Sequence, residues 1–188
     1  MRGCDVVSQR DKRSGPSAGV SAVEPDPLEI LRVLERHGVR YVLIGAAAAR
    51  VAGAPVVTED VDITPAADRE NLERLAAALE ELGARLRSSN APEGVPFPVD
   101  GAMLAGAEVW TLTTRLGDLD LSFVPSGTRG FGDLDREATR LQLGDDLEVS
   151  VASLRDVIRS KEAAGRDKDL AQLPLLRRTL EQIRERER

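Results

Sequence analysis

Hydrophobic and polar positions repeat with two periods along this chain, and each change of period marks an element. From Pro27 onward, Leu28, Leu31, Val33 and Leu34 recur at helical spacing up to Gly38, which predicts a first helix. Residues 39–44 form a short apolar run with β-branched members, a buried strand that ends on Gly45. Residues 46–52 predict a helix of small side chains, stopped by Gly53 and Pro55. Residues 56–63 predict a second strand. Thr64 and Pro65 suit the N-cap and first turn of a long helix, with Leu72, Leu75, Leu79 and Leu82 as its buried stripe and Gly83 as its end.

Beyond Gly83 the pattern shortens. Residues 84–88 read as a strand, and residues 89–106, rich in proline and glycine, read as a loop. Residues 108–115 and 118–124 predict two strands around a turn at Leu116-Gly117. A loop over 125–132 and a short helix near 133–137 follow. Residues 141–143 and 147–151 predict a hairpin through Gly144-Asp145. Ser153 and Asp156 form a capping-box pattern for a helix through Ala164, which Gly165 interrupts. Pro174 opens a last helix, because an interior proline costs about 3 kcal/mol. Residues 1–24 carry no hydrophobic period and are expected to be a disordered tail. Residues 25–188 are then one α+β domain, a small mixed sheet with helices packed mainly on one side and further helices at the C-terminal end.

Composition narrows the function. The 188 residues carry a net charge of −6, which argues against a general binder of nucleic-acid backbone. Aromatic residues make up 3%, so Leu, Val, Ile and Ala must build the core. Cys4 is the single cysteine, which excludes an internal disulfide and a zinc knuckle. The longest apolar run, residues 42–49, is too short for a bilayer, and residues 1–13 have no apolar stretch behind their charges. A cytoplasmic protein with no membrane partner is expected.

The informative chemistry lies in Thr58-Glu59-Asp60-Val61-Asp62-Ile63. On a strand, Asp60 and Asp62 share one face while Val61 and Ile63 take the other. Two unpaired acids side by side are costly to bury, and a divalent cation with hard oxygen ligands removes that cost. Gly117-Asp118-Leu119-Asp120-Leu121-Ser122 repeats the arrangement. Neighbouring strands would converge these carboxylates as a phosphoryl-transfer site requires. Each pair alone also fits a solvated edge strand. The turn at Gly45-Ala46 leaves backbone N–H groups at a helix start, a favourable place for phosphate oxygens, although an ordinary tight turn looks the same.

This ordered set resembles the nucleotidyltransferase superfamily. It is most similar to the small bacterial toxin–antitoxin-type nucleotidyltransferases, including abortive-infection (AbiE toxin-like) members. The carrying residues are Gly45 and Ala46, Asp60 and Asp62 after Thr58, Asp120 as the third carboxylate, and Lys161, Arg166 and Lys168 in a closing basic segment that ends on Asp169. The resemblance implies that Asp60, Asp62 and Asp120 are catalytic and hold Mg2+ or Mn2+. It implies that Gly45, Ala46, Thr58, Lys161, Arg166 and Lys168 bind a nucleoside triphosphate. The implied reaction moves a nucleoside monophosphate to a hydroxyl of an acceptor: an RNA end, a protein or a small molecule. A cognate toxin–antitoxin partner protein belongs to the same expectation. Ala46 brings no hydroxyl and Val56 no charge where relatives carry Gly or Ser and Arg. The alternative is therefore a catalytically inactive binding or regulatory protein of the same fold.

Lys161 continues the apolar face of Leu154, Val157 and Ile158, at helical spacing. From the residues alone, Lys161, Arg166 or Lys168 either meets a phosphate or pairs with a carboxylate such as Asp169. His37, at a helix C-terminus, reads as structural.

Overall fold

The computed structural model describes residues 25–58, 60–144 and 146–186; the expected tail over residues 1–24 lies outside them. The chain starts with α1 (Pro27–Arg36), β1 (Tyr41–Leu43), α2 (Gly45–Val51), β2 (Val61–Pro65) and α3 (Arg69–Leu82). Next come β3 (Arg85–Ser88), β4 (Ala91–Val95), α4 (Gly101–Leu104), β5 (Val109–Thr114) and β6 (Gly117–Ser122). It closes with α5 (Phe131–Leu134), β7 (Thr139–Gln142), β8 (Glu148–Val151), α6 (Leu154–Ala164), α7 (Asp167–Leu170) and α8 (Leu173–Arg186).

The strands form one mixed sheet of eight, in the order β4-β3-β5-β6-β2-β1-β8-β7. It is larger than the small sheet expected. β2 runs parallel to β6 and β1 parallel to β8, and the other neighbours are antiparallel. Val61, Ile63, Leu112, Leu119 and Leu121 fill one face of the central strands and are buried, together with Leu75, Leu79 and Leu82 of α3. The stripe read from sequence is thus the core face of α3.

Four expectations fail at element boundaries. Thr64 and Pro65 do not open α3; they end β2, paired with Val42 and Tyr41. The cap is Asp68, whose carboxylate accepts from the Asn71 N–H at 3.2 Å. Residues 56–58 and Asp60 are not strand, since β2 begins only at Val61. The region read as a loop after residue 88 contains β4, a strand tolerated with Pro92 and Gly94 because it lies at the sheet edge, and α4, capped by Asp100. The short helix expected near 133–137 starts earlier, at Phe131.

Asn71 was not singled out by pattern, yet it fastens the sheet to α3. Fully buried, it accepts from the Arg40 N–H at 2.7 Å and donates to the carbonyls of Arg40 and Ala66 at 3.0 and 2.8 Å. Asn71→Leu fits the space but strips the Arg40 N–H and the Ala66 carbonyl of their side-chain partner, while the Arg40 carbonyl keeps the Ala66 N–H. We expect it to destabilise the fold by about 3 kcal/mol, read from the urea midpoint; a change below about 0.5 kcal/mol would contradict this role.

Candidate active site

The central ladder decides where the aspartates stand. In the parallel β2–β6 pair, Asp62 lies opposite Asp120, between the Val61–Leu119 and Ile63–Leu121 pairs. Strand alternation turns the four apolar residues into the core and leaves both carboxylates on the other face, one strand spacing apart, about 4.8 Å. The sequence expectation that these two converge is met. Asp60 lies just outside the ladder and is exposed, so it approaches from the loop rather than from the strand face.

These groups form the floor of a cleft of about 580 Å³. Gly45, Ala46 and Thr58 line it, as do Lys161, Arg166 and Lys168. All nine residues singled out from the sequence therefore border one cavity. Missed walls include Glu108 and the loop around Ser126 and Thr128, whose polar residues carry no spacing signal. A smaller cavity of about 390 Å³ shares Glu108 with the cleft and is lined by none of Asp60, Asp62 and Asp120.

Gly45 is held in place by Asp62. Its φ of +65° is in the left-handed region, and a Cβ there would stand 2.8 Å from Asp62 Cγ. The backbone also locks the pair, through the Ile44 N–H donating to the Asp62 carbonyl at 2.9 Å. A strand ending on glycine thus lets the start of α2 lie against the carboxylate.

Electrostatics at the floor are unbalanced. Burial, then the charges of Asp120 and Asp60, push the Asp62 carboxyl up to about 6, against the opposing pull of Lys161 and Lys168. Burial raises the Asp120 carboxyl too; Arg87 pulls it down, and Asp60 and Asp118 push it up. Six carboxylates and three cations line the cleft, and Arg87 and Arg159 pair with Asp120 and Asp156 from outside that lining.

The basic segment is engaged. Lys161 Nζ lies 2.9 Å from Asp169 Oδ1, and Arg166 Nε lies 2.5 Å from Asp169 Oδ2. The Asp169 side chain is 2% exposed. Burial would raise its carboxyl, but the hydrogen bonds from Lys161 and Arg166 outweigh it and hold the group below its ordinary value. Of the two sequence alternatives for Lys161 and Arg166, pairing with Asp169 is the one present. Lys168 has no carboxylate within ion-pair distance among the described residues. Thr58 Oγ1 donates to the Asp60 carbonyl at 3.2 Å, steadying the loop that carries Asp60. His37 ends α1 and lies 2.7 Å from Glu81, in a structural position.

One residue that sequence reasoning missed enters the site directly. Arg87, on β3, donates to Asp118 through one terminal nitrogen and to Asp120 Oδ1 at 2.7 Å through the other.

Among the described residues, no three His, Cys, Asp or Glu side chains are gathered closely enough to hold one metal ion. The donor set nevertheless suits a hard cation: two register-paired carboxylates, a third acting on both, and a carboxyl pushed up to about 6 by burial and by its acidic neighbours. Also among the described residues, no helix is long and apolar enough to cross a membrane.

No protein-family profile matches the chain, and no curated protein matches it in sequence. Solved structures similar to it include two described as nucleotidyl- or adenylyltransferases. A protein of Thermotoga maritima described as a candidate nucleotidyltransferase is 17% identical, with a TM-score of 0.46 over 82% of this chain and 90% of its own. The lincosamide antibiotic adenylyltransferase LnuA, solved with lincomycin bound, is 17% identical, with a TM-score of 0.52 over 80% of this chain and 93% of its own. On the match to LnuA and the mixed sheet described above, this chain has the nucleotidyltransferase fold.

Proposed function

We propose that the chain is a metal-dependent nucleotidyltransferase, which moves a nucleoside monophosphate from a nucleoside triphosphate to a hydroxyl of an acceptor. The observation that carries this reading is the register pairing of Asp62 with Asp120 on the floor of a cleft that the start of α2 and the Lys161–Lys168 segment also border.

Asp60, Asp62 and Asp120 would hold Mg2+ or Mn2+. Bound there, the ion offsets carboxylate repulsion and draws charge from the triphosphate and its leaving pyrophosphate. The remaining work belongs to the chain. The first N–H groups of a helix lack partners within it, so Gly45 and Ala46 offer donors to phosphate oxygens without a side-chain hydroxyl. Lys168 and Lys161 both line the cleft, Lys168 without an ion-pair partner among the described residues and Lys161 fixed by Asp169. These cations favour the phosphate end and fix its direction. Asp120, whose Oδ1 accepts from Arg87, is the natural acceptor for the proton of the attacking hydroxyl. The hydroxyl oxygen bonds to the α-phosphorus, the α–β anhydride bond breaks, and pyrophosphate leaves with the bonding electrons.

The acceptor class is an RNA end, a protein or a small hydroxylated molecule. A toxin–antitoxin setting, with a cognate partner protein, is supported by the sequence resemblance alone. A non-catalytic reading, the fold serving as a binding partner, is favoured by one observation: Asp120 is already paired with a cation. Incubation with each α-labelled nucleoside triphosphate, Mn2+ and the three acceptor classes separates the readings. Transfer of label that falls by at least about a thousandfold in Asp120→Asn is expected. Nucleotide binding without any transfer would support the non-catalytic reading instead.

A further inference from the structure

Arg87 reaches the carboxylate face from a strand two places away. β5 separates β3 from β6, and its residues opposite Asp118 and Asp120 are Thr113 and Thr111. These are short side chains, so a long one from β3 can pass over them. The β3–β4 ladder also shifts register between Leu86 and Ser88, and a bulge re-aims the side chain it carries. The guanidinium fork then spans two separate carboxylates, with a charge-assisted bond to each. Arg87 and Asp120 side chains are 32% and 29% exposed, so the contact can open without unfolding its surroundings.

We infer that Arg87 is a built-in counter-cation of Asp120, which a divalent ion must displace to use that carboxylate. The inference rests on the cation site proposed above and adds a competitor to it. Asp118 gains a role in this arrangement. It stands outside the set of residues that border the cleft, and it keeps hold of Arg87 when Asp120 lets go. The displaced fork therefore has somewhere to stay that does not fill the nucleotide space. The third carboxylate would engage an ion only above a concentration set by Arg87. Without metal, the same contact spares Asp120 an unpaired negative charge.

The test is Mn2+ binding to the full chain, read from the electron paramagnetic resonance signal of free Mn2+. Arg87→Met should bind Mn2+ on the order of tenfold more tightly than wild type, the scale of one charge-assisted hydrogen bond. Arg87→Lys keeps the charge but cannot span both carboxylates, so a smaller tightening is expected. It also provides a second variant should Arg87→Met fold poorly. Arg85→Met removes the same charge two residues away, where the side chain donates to the Gly94 carbonyl, and should change affinity by less than about twofold. Wild-type binding with unchanged or weaker affinity in Arg87→Met would overturn the competition and leave the cation site standing. Equal tightening in Arg85→Met would also overturn it, in favour of a general field. Absence of Mn2+ binding from every protein would overturn both this inference and the proposed function.

Discussion

Asp62→Asn should make the protein more stable at pH 8 while ending its ability to hold a divalent ion. The wild-type carboxyl is raised from 3.8 to about 6 in the folded state, by burial first and then by Asp120 and Asp60. A raised carboxyl means that the folded chain keeps a proton which the unfolded chain releases between about pH 4 and pH 6. Wild-type stability therefore falls as pH rises through that window, and the full cost is present above it. An amide at residue 62 has no ionisation to lose. The variant should gain about 2 kcal/mol over wild type at pH 8, discounted for the partial exposure of the site, and almost nothing near pH 4. Urea titrations of both proteins at the two pH values check this. Adding Mn2+ at pH 8 should raise the wild-type midpoint and leave the variant's unchanged. A variant less stable than wild type at pH 8 would show that Asp62 is a structural anchor and not a strained ligand.

Gly45→Ala should damage the site more than the fold. Two costs combine there: a left-handed φ of +65°, worth about 1–3 kcal/mol for a residue with a Cβ, and collision of that Cβ with the Asp62 carboxylate. Gly53 supplies the control, since its φ is +93° but nothing lies within 4 Å of a Cβ built there. Gly53→Ala should lose stability alone. Gly45→Ala should lose at least as much stability and, in addition, weaken Mn2+ binding by about a hundredfold, the scale seen when the support of a ligand is removed. Melting curves and Mn2+ titrations on the two variants separate these effects. Equal Mn2+ affinities would mean that the contact between Gly45 and Asp62 does not position the carboxylate.

What could be read from the sequence was whatever follows from local periodicity. The α3 stripe and the shared face of Asp62 on β2 and Asp120 on β6 are consequences of side-chain direction within one element, and they stand where the pattern put them, whereas Asp60, read onto the same face, precedes β2 in the loop. Local chemistry misled where two roles share one residue. Thr64-Pro65 is a good helix start, but pairing with β1 carries both residues as strand to its end, and Asp68 caps instead. β4 was hidden because Pro92 and Gly94 signal a turn unless the strand is known to be an edge. Arg87 was hidden for another reason. Its partner strand lies across β5, and the order of strands in the sheet is not their order in the chain. Asn71 likewise bonds backbone atoms at Arg40, distant in sequence, and no spacing rule announces that contact. The basic segment gave two alternatives that only the position of Asp169, buried between Lys161 and Arg166, distinguishes.

On the proposed function, the cleft binds a nucleoside triphosphate through a divalent ion held by Asp60, Asp62 and Asp120. Calorimetric titration with each of the four triphosphates, with and without Mg2+, on wild type and on the Asp60→Ala/Asp62→Ala double variant, tests it most directly. At least one triphosphate should bind only with Mg2+ present, and that binding should be lost in the variant. No binding of any triphosphate to wild type in the presence of Mg2+, or equal binding to both proteins, would contradict it.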